Sequence, residues 1–448
     1  MSQLIQKYNI PGPRYTSYPT VPFWDTEKFS TSSWIETLQK TDKAPISLYI
    51  HLPFCESLCT FCACNKRITK QHTVEYPYIQ AVLKEWKMYV DILGYYPEIE
   101  EIHLGGGTPT FFSPENLKIL IEGIFDFASI ADTYEFSFEG HPNSTSREHL
   151  QVLASLGFTR VSYGIQDYNE SVQQAIHRIQ TLEEVTNATK MAREEGYTSV
   201  GHDIIYGLPF QNLDHIVYTI EQTIRLQPDR IAFYSYAHTP WIKGNGQRGF
   251  DEKDLPTADL KRRQYEVGKK LLQEAGYIEI GMDHFALPTD SLCKAMQNNT
   301  LHRNFMGYTT TQSKTMIGLG VSSISDSWNG FAQNEKKLED YYNRIRANEL
   351  PVFRGHIHTK EDLIVRQHIL NLMCQLYTTW DLNDNQLPEF KDSLIDLLEM
   401  ERDNLVNLSS NSVEILPEGR AFIRNVCMAF DLHLKESRPS TRIFSMTI

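Results

Sequence analysis

The sequence predicts an α/β fold: an open or closed barrel of parallel βα units, set between an extended N-terminal arm and a small helical C-terminal domain. Three observations carry this. Short β-like runs alternate with longer helical patterns, as parallel strands joined by crossover helices require. Polar and glycine-rich segments follow the strand candidates, where a parallel barrel has its C-terminal rim. From about residue 356 the alternation gives way to a mainly helical pattern.

The arm, residues 1–45, is rich in Pro, Tyr, Thr and Ser and has no clear period. PGPRYTSYPT at 11–20 predicts extended, turn-containing chain, because each proline biases its predecessor away from the helical region. A catalytic domain over 46–355 follows. Its strand candidates are 47–52, 101–104, 134–139, 160–165, 199–206 and 230–237. Helices are expected at 75–94, 115–129, 146–156, 170–195 (broken in the middle), 212–226 and 258–275, with a strand-like YIEIGM after the last. That makes six βα units.

Over 356–448, TKEDLIVRQHILNLMCQLY reads as a helix with a Thr N-cap and an acidic first turn. VEIL then precedes LPEGRAFIRNVCMAF, the pattern of a small winged-helix-like domain with a β-hairpin wing. Residues 360–448 carry 9 Lys/Arg against 14 Asp/Glu, so DNA binding lacks its electrostatic footprint and a cover or interaction role is expected.

Bulk properties narrow the function classes. Hydrophobic residues are 41% and charged residues 22% of the 448, values of a soluble globular protein. No run of about 18 apolar residues exists to span a membrane, and the first residues lack a signal-peptide layout. A cytoplasmic location with reduced thiols is therefore expected. The net charge of −13 disfavours a general nucleic-acid binder but allows a local basic site for an acidic substrate. No membrane or nucleic-acid partner is expected, and the chain is read as a monomer.

Four of the seven cysteines stand in CESLCTFCAC, as Cys55, Cys59, Cys62 and Cys64. An odd total with four crowded together suits a disulfide framework poorly. Structural zinc usually takes two separated ligand pairs, and no second Cys/His pair of matching spacing follows nearby. Thiol–disulfide exchange uses C-x-x-C, which Cys59 and Cys62 supply, but leaves Cys55 unexplained. An iron–sulfur cluster accounts for all three, Cys55, Cys59 and Cys62, with one iron of a [4Fe–4S] cube left open. Cys64 is spaced too closely and reads as a neighbour.

C-x3-C-x2-C with Phe61 before the last cysteine resembles the radical S-adenosylmethionine (SAM) enzymes, and GGGTPT at 105–110 strengthens the likeness. A glycine run lets backbone approach a bound amino acid, here the methionine part of SAM. The likeness narrows with KYNIPGPRYTSYPT, YIHLPFCESLCTFCACN, GIQDYN, DIIYGLP, YAHTP, GMDHFA, HRNFMGYTT, GLGVSSIS and GRAFIRNVCMAFD. Together they resemble the oxygen-independent coproporphyrinogen III oxidases, or dehydrogenases, of haem biosynthesis, over nearly the whole chain. Haem chaperones share the radical SAM core but generally lack the PRYTSYP-type arm.

That resemblance implies a partial (β/α)6 TIM-like barrel of the radical SAM type. It implies a radical SAM oxidoreductase that converts two propionates of coproporphyrinogen III to vinyl groups, giving protoporphyrinogen IX. A reduced cluster splits SAM into methionine and a 5′-deoxyadenosyl radical, which takes a hydrogen from the propionate β-carbon; carbon dioxide leaves. An electron donor such as a flavodoxin or ferredoxin is implied, and a final electron acceptor. Cys55, Cys59 and Cys62 would hold the cluster. Tyr49, Phe61, Gly106, Gly107 and Thr108 would line the first SAM. Glu139, Gln166, Arg178 and Asp203 would supply polar contacts to it and to a second SAM, with Ala237 and Ile324 packing nearby. The substrate's carboxylates need cations, and Arg14, His284, His302 and Arg303 are the candidates. Two departures stand out: Gly-His-Pro follows Glu139 where the family commonly has an acidic residue before the proline, and Ser235 stands where it often has Asn.

Overall fold

The computed structural model describes residues 2–242, 246–380, 390–437 and 443–448. Its frame is one twelve-stranded sheet. In chain order the strands are β1 (Ile46–Leu52), β2 (Glu98–Gly106), β3 (Ser129–Gly140), β4 (Phe158–Gln166), β5 (Ser199–Tyr206), β6 (Arg230–Ser235), β7 (Ile278–Ile280), β8 (His284–Ala286), β9 (Met316–Leu319), β10 (Ile324–Asp326), β11 (Gly330–Asn334) and β12 (Val352–Ile357). β1 to β6 pair in sequence order and in parallel, and β9 adds a further parallel strand on the other edge of β1. Antiparallel strands close both sides: β8 and β7 beyond β6, and β10 to β12 beyond β9.

Each of the six predicted units is present. Helices Glu75–Leu93, Pro114–Phe125, Arg147–Ser155, Glu170–Ala175 with Leu182–Glu194, Leu213–Leu226 and Ala258–Glu274 follow β1 to β6 in turn. Local signals set their starts. Ser113, Ser146, Thr181, Asn212 and Thr257 each accept a hydrogen bond at a helix N-terminus through the side chain. The break inside 170–195 falls at 176–181, where His177 takes φ 51°. The strand interiors carry the core, with Leu48, Ile50, Ile102, Leu104, Phe136, Phe138, Val161 and Val200 fully buried between the helical layer and the barrel interior.

The arm departs from expectation. Residues 11–20 are extended, as predicted, but helices Ser2–Tyr8 and Thr31–Gln39 flank them. Ser30 and Ser33 form a capping box that starts the second helix, and Trp34, Thr37 and Leu38 bury one face of it, a helical spacing masked by its polar neighbours. The two halves of the arm pack in different places. Trp34 and Leu38 join the barrel core, whereas Ile5, Tyr8, Tyr15 and Tyr18 join the core of the C-terminal domain.

That domain has helices Lys360–Gln375, Phe390–Arg402, Ile423–Phe430 and Leu432–Ser437, with a hairpin Val406–Leu408/Ser412–Ile415 as the wing. The Thr359 cap and its acidic partner Asp362 form the predicted helix start. Arg424 grips the arm and the final residues together, donating to the carbonyls of Pro13 (2.8 Å), Met446 (2.8 Å) and Gly12. Asp362 joins β12 to the last helix, receiving His356 Nε2 at 2.9 Å and His433 Nε2 at 2.7 Å. The Asp25 N–H donates to His356 Nδ1 (3.1 Å), so the proton sits on Nε2 and the trio is a hydrogen-bonded clasp, not a metal site.

Candidate cluster and cofactor site

The strand ends build the site. β1 ends at Leu52, and the chain turns directly into the cysteine loop. His51 ties both ends of that loop. Its Nε2 faces the Asn65 carbonyl at 2.9 Å, so Nε2 carries the proton and Nδ1 accepts from the Tyr49 hydroxyl at 3.0 Å. Burial keeps the imidazole pKa below its ordinary value, which suits this neutral role. Thr60 donates from its amide and hydroxyl to Ile176 O (2.9 Å) and Ala175 O (2.8 Å), so the helix after β4 braces the loop's middle. Lys66 Nζ caps the carbonyls of Cys62 (3.3 Å) and Cys64 (3.2 Å).

The glycine run after β2 presses against this loop. The amides of Gly107 and Thr108 donate to Leu52 O (2.8 Å) and Phe54 O (3.0 Å). A Cβ on Gly107 would lie 2.6 Å from the Pro53 carbonyl carbon, so only glycine lets the two backbones meet. Gly106 takes φ 112° and its amide donates to Glu139 Oε2 at 3.2 Å. Thr108 Oγ1 donates to Cys55 Sγ at 3.4 Å.

Cys55, Cys59, Cys62, Phe61, Gly106, Gly107, Thr108, Glu139, Gln166, Arg178 and Asp203 all line one open cavity of about 750 Å³. Tyr49, Ala237 and Ile324 are half-buried and are not among the residues that line it. Tyr49 stacks on His103 with ring centroids 6.1 Å apart, and the Ala237 carbonyl accepts from Gln247 Nε2, which also reaches Phe61 O. His284 lines a smaller cavity of about 70 Å³ that shares Glu139, Ser162 and Asp203 with the larger one. Arg14 lines a third cavity of about 50 Å³ on the β5–β6 side of the rim. Arg303 is buried over the Tyr308 ring at 4.4 Å, and its Nε and Nη1 have no hydrogen-bond partner among the described residues. His302 is not among the lining residues of any of these cavities; its pKa is pushed down to about 4 by burial and by Arg366.

Burial pushes the Cys55 thiol up to about 11, partly offset by Thr108. A hydrogen bond from the Cys64 thiol brings Cys62 down to about 6. Burial and the Glu139 charge push Asp203 up to about 6, against a 2.9 Å bond from the Ser162 hydroxyl. Burial would raise Glu139 too, but His103 and the Gly106 amide hold it below its ordinary value.

The donor set fits a cluster better than a single ion. Among the described residues, the only set of three His, Cys, Asp or Glu ligand atoms all within 4.8 Å of one another is the Asp362 clasp. The three cysteines are thus spread wider than one zinc with bonds of about 2.3 Å would hold. The rest of the cavity fits a polar adduct. The Gln166 side-chain oxygen is buried without a partner, on a residue held at φ 70°. The Gly107 cradle offers backbone where a side chain would block it.

The Radical SAM superfamily domain matches residues 49–223. The oxygen-independent coproporphyrinogen III oxidase of Synechocystis is 36% identical over 464 residues, covering 100% of this chain and 98% of its own. That of Helicobacter pylori is 37% identical, covering 99% and 98%. The solved coproporphyrinogen III oxidase of Escherichia coli, described as a radical SAM enzyme, superposes with a TM-score of 0.90 at 34% identity, covering 97% of this chain and 99% of that one. This chain belongs to the oxygen-independent coproporphyrinogen III oxidase family. A family that uses SAM and an iron–sulfur cluster accounts for thiols, a glycine cradle and carboxylates on one cavity wall.

Several residues of this family member's site escaped the sequence reading. His51 was visible only as part of HLPFC, and its role depends on Asn65, 14 positions on. Gly246 approaches the loop from a distant segment, its amide donating to Cys62 O at 2.8 Å. Gln180 holds the carbonyls of Gly164 (3.2 Å) and Ile165 (2.6 Å), fixing the strand end that bears Gln166. His141, at the departure noted above, lines the cavity and is kept neutral, its pKa pushed down to about 3 by burial and by Arg178.

Proposed function

We propose that this chain catalyses the oxygen-independent oxidative decarboxylation of two coproporphyrinogen III propionates, giving protoporphyrinogen IX. The observation that carries the proposal is one cavity holding three thiols and the glycine cradle, on a chain matched over its full length by family members. When bound, a [4Fe–4S] cluster and SAM supply a hydrogen-abstracting radical.

The chain's own residues hold and aim these groups. Cys55, Cys59 and Cys62 serve as ligands, and Thr108 and Arg178 steady the sulfurs of Cys55 and Cys59 at 3.4 and 3.8 Å. Glu139, fixed by the Gly106 amide, accepts from an amino group, and Asp203 accepts from ribose hydroxyls. We assign Gln166, Arg178 and Asp203, backed by Ala237 and Ile324, to a second SAM beside the first, in keeping with the size of the cavity. Propionates are met by His284 from the inner cavity and by Arg14 and Arg303 from the arm side. Arg303 Nε and Nη1 make no hydrogen bond among the described residues, with Asp283 standing 4.0 Å from Nη1, and a propionate carboxylate would give them the close contact they lack.

A flavodoxin or ferredoxin is the proposed electron donor, and the enzyme is proposed to act as a cytosolic monomer. No helix among the described residues is long and apolar enough to cross a membrane.

The test is anaerobic turnover of coproporphyrinogen III with SAM and a reductant. Vinyl products with about two carbon dioxide per tetrapyrrole are expected; SAM cleavage without vinyl product would sink the proposal and favour a haem-handling role.

A further inference from the structure

The cysteine loop has an outer face that the chemistry above does not use. Phe54–Cys55 and Arg67–Ile68 form a short parallel ladder, with Cys55 opposite Ile68. The inner strand is buried or half-buried; the outer one is exposed. The Ile68 backbone therefore lies one strand spacing, about 4.8 Å, from that of the proposed cluster ligand Cys55, and a molecule touching Ile68 stands one contact beyond it. Ile68, the apolar residue of the outer strand, is 41% exposed, so this face has an apolar point at its centre.

Cations rim it. Arg67 and Lys70 belong to the loop's return, whereas Lys66 turns inward to the Cys62 and Cys64 carbonyls and lines the interior cavity. The Asn65 side chain donates to Lys336 O at 2.9 Å, which brings Lys336 and Lys337 alongside. Among the described residues, no carboxylate lies within 4.0 Å of the ammonium groups of Lys70 or Lys336. Arg67 meets Glu339 at 3.5 Å, but both are more than 60% exposed, a geometry worth little in water. Lys337 and Asp340 are 3.9 Å apart. Of the other acids nearby, Glu56 faces His72 and Glu335 faces Arg344, each at 3.5 Å. The remaining excess is positive, on a chain of net charge −13.

We propose that this face, Ile68 within a rim of Arg67, Lys70, Lys336 and Lys337, docks a small acidic one-electron carrier protein that reduces the cluster. This rests on the radical SAM reading above. A cationic rim steers an anionic partner and speeds its encounter, while a small apolar centre gives the brief contact typical of electron-transfer complexes. The step balances: the reduced carrier loses one electron and the oxidised cluster gains it, with no atom transferred. The interior cavity stays free for SAM and tetrapyrrole, so the carrier and the substrate do not compete.

The experiment uses anaerobic holoenzyme and an acidic flavodoxin. Its Kd is measured calorimetrically at about 0.05 and 0.3 M NaCl, for the wild type, for Arg67→Glu/Lys70→Glu/Lys337→Glu, and for Lys118→Glu/Lys190→Glu on the helical outer layer. The rim variant is expected to bind about tenfold or more weakly and to lose salt dependence. The control is expected to match wild type, and dithionite is expected to reduce the cluster equally in all three. A rim Kd within about twofold of wild type, or an equal loss in the control, overturns the proposal. Failure of dithionite to give a reduced-cluster resonance in the wild type would instead count against the radical SAM reading. Carbodiimide cross-linking of flavodoxin to unmodified enzyme supplies an arm independent of folding: links at Lys70, Lys336 or Lys337 support the docking face, and links confined elsewhere refute it.

Discussion

The Arg178 guanidinium bridges the Gly164 carbonyl and the Cys59 sulfur. Nε and Nη2 donate to Gly164 O at 3.1 and 2.6 Å, and Nη1 stands 3.8 Å from Cys59 Sγ. The fork thus couples the end of β4 to Cys59, a proposed cluster ligand, which a point-charge ammonium cannot do at both ends. Arg178→Lys is expected to keep four irons per chain and to weaken SAM binding about tenfold, or about 1.4 kcal/mol. Anaerobic iron analysis with a SAM titration followed by electron paramagnetic resonance checks both; unchanged affinity would remove Arg178 from the cofactor contacts.

Gly107 and Gly94 separate two reasons for glycine. Gly94 ends a helix at φ 72° with nothing within 4 Å of an added Cβ, so Gly94→Ala carries only the left-handed strain, about 1 kcal/mol. Gly107 has no such φ, but its Cβ would strike the Pro53 and Phe54 backbone at 2.6 to 2.8 Å. Backbone cannot rotate away, so Gly107→Ala is expected to displace the cysteine loop. Chemical reconstitution should give less than half the iron of wild type, while urea unfolding of the two variants differs little.

Where the sequence was legible, period and caps were local. The helix starts at Ser113, Ser146, Thr181 and Thr257 are each signalled by a hydroxyl residue before an apolar stripe, and the structure places the helices there. The strand at 129–140 began earlier than expected because Ser129 and Ile130 are exposed and held by pairing to Glu98 and Ile99, which leaves no hydrophobic run to read. The parallel strand at 316–319 has only four residues, one of them glycine, and its position beside β1 is set by contacts nearly 270 residues away in sequence. The site divides similarly. Cysteines and glycines announce themselves by spacing, whereas His51, Gln180 and Gly246 work through backbone carbonyls that any residue type would present.

Asp203 should impose an acid limb on cofactor binding. Its carboxyl is pushed up to about 6 by burial and by the Glu139 charge, so it is half protonated near that pH and loses acceptor capacity below it. SAM affinity is expected to fall as pH drops from 7 to 5 in the wild type. Glu139→Gln removes the repelling charge, which lowers the Asp203 pKa and moves the limb to lower pH, even as the lost carboxylate charge weakens binding throughout. Equilibrium SAM binding against pH in both proteins tests this; limbs at the same pH would assign the titration to another group.

Acid stability should be governed by buried neutral histidines. His141, His202 and His358 are pushed down to about 3, and His302 and His368 to about 4, chiefly by burial. Their unfolded pKa is about 6.5, so between pH 6 and 4.5 the unfolded chain binds protons that the folded chain refuses. Unfolding free energy therefore falls as pH falls, by up to about 1.4 kcal/mol per pH unit for each such group. His202 isolates one of them: it is fully buried, its Nε2 meets Thr189 Oγ1 at 2.9 Å, and its Nδ1 has no partner among the described residues. His202→Asn is expected to be less stable at pH 7 yet to lose stability less steeply on acidification, by about 1.4 kcal/mol per pH unit. Acid release of the cluster affects both proteins alike and cancels in the difference. Anaerobic urea titrations at half-unit steps from pH 7 to 4.5 give the two slopes, and parallel slopes would mean that His202 is protonated in the folded chain.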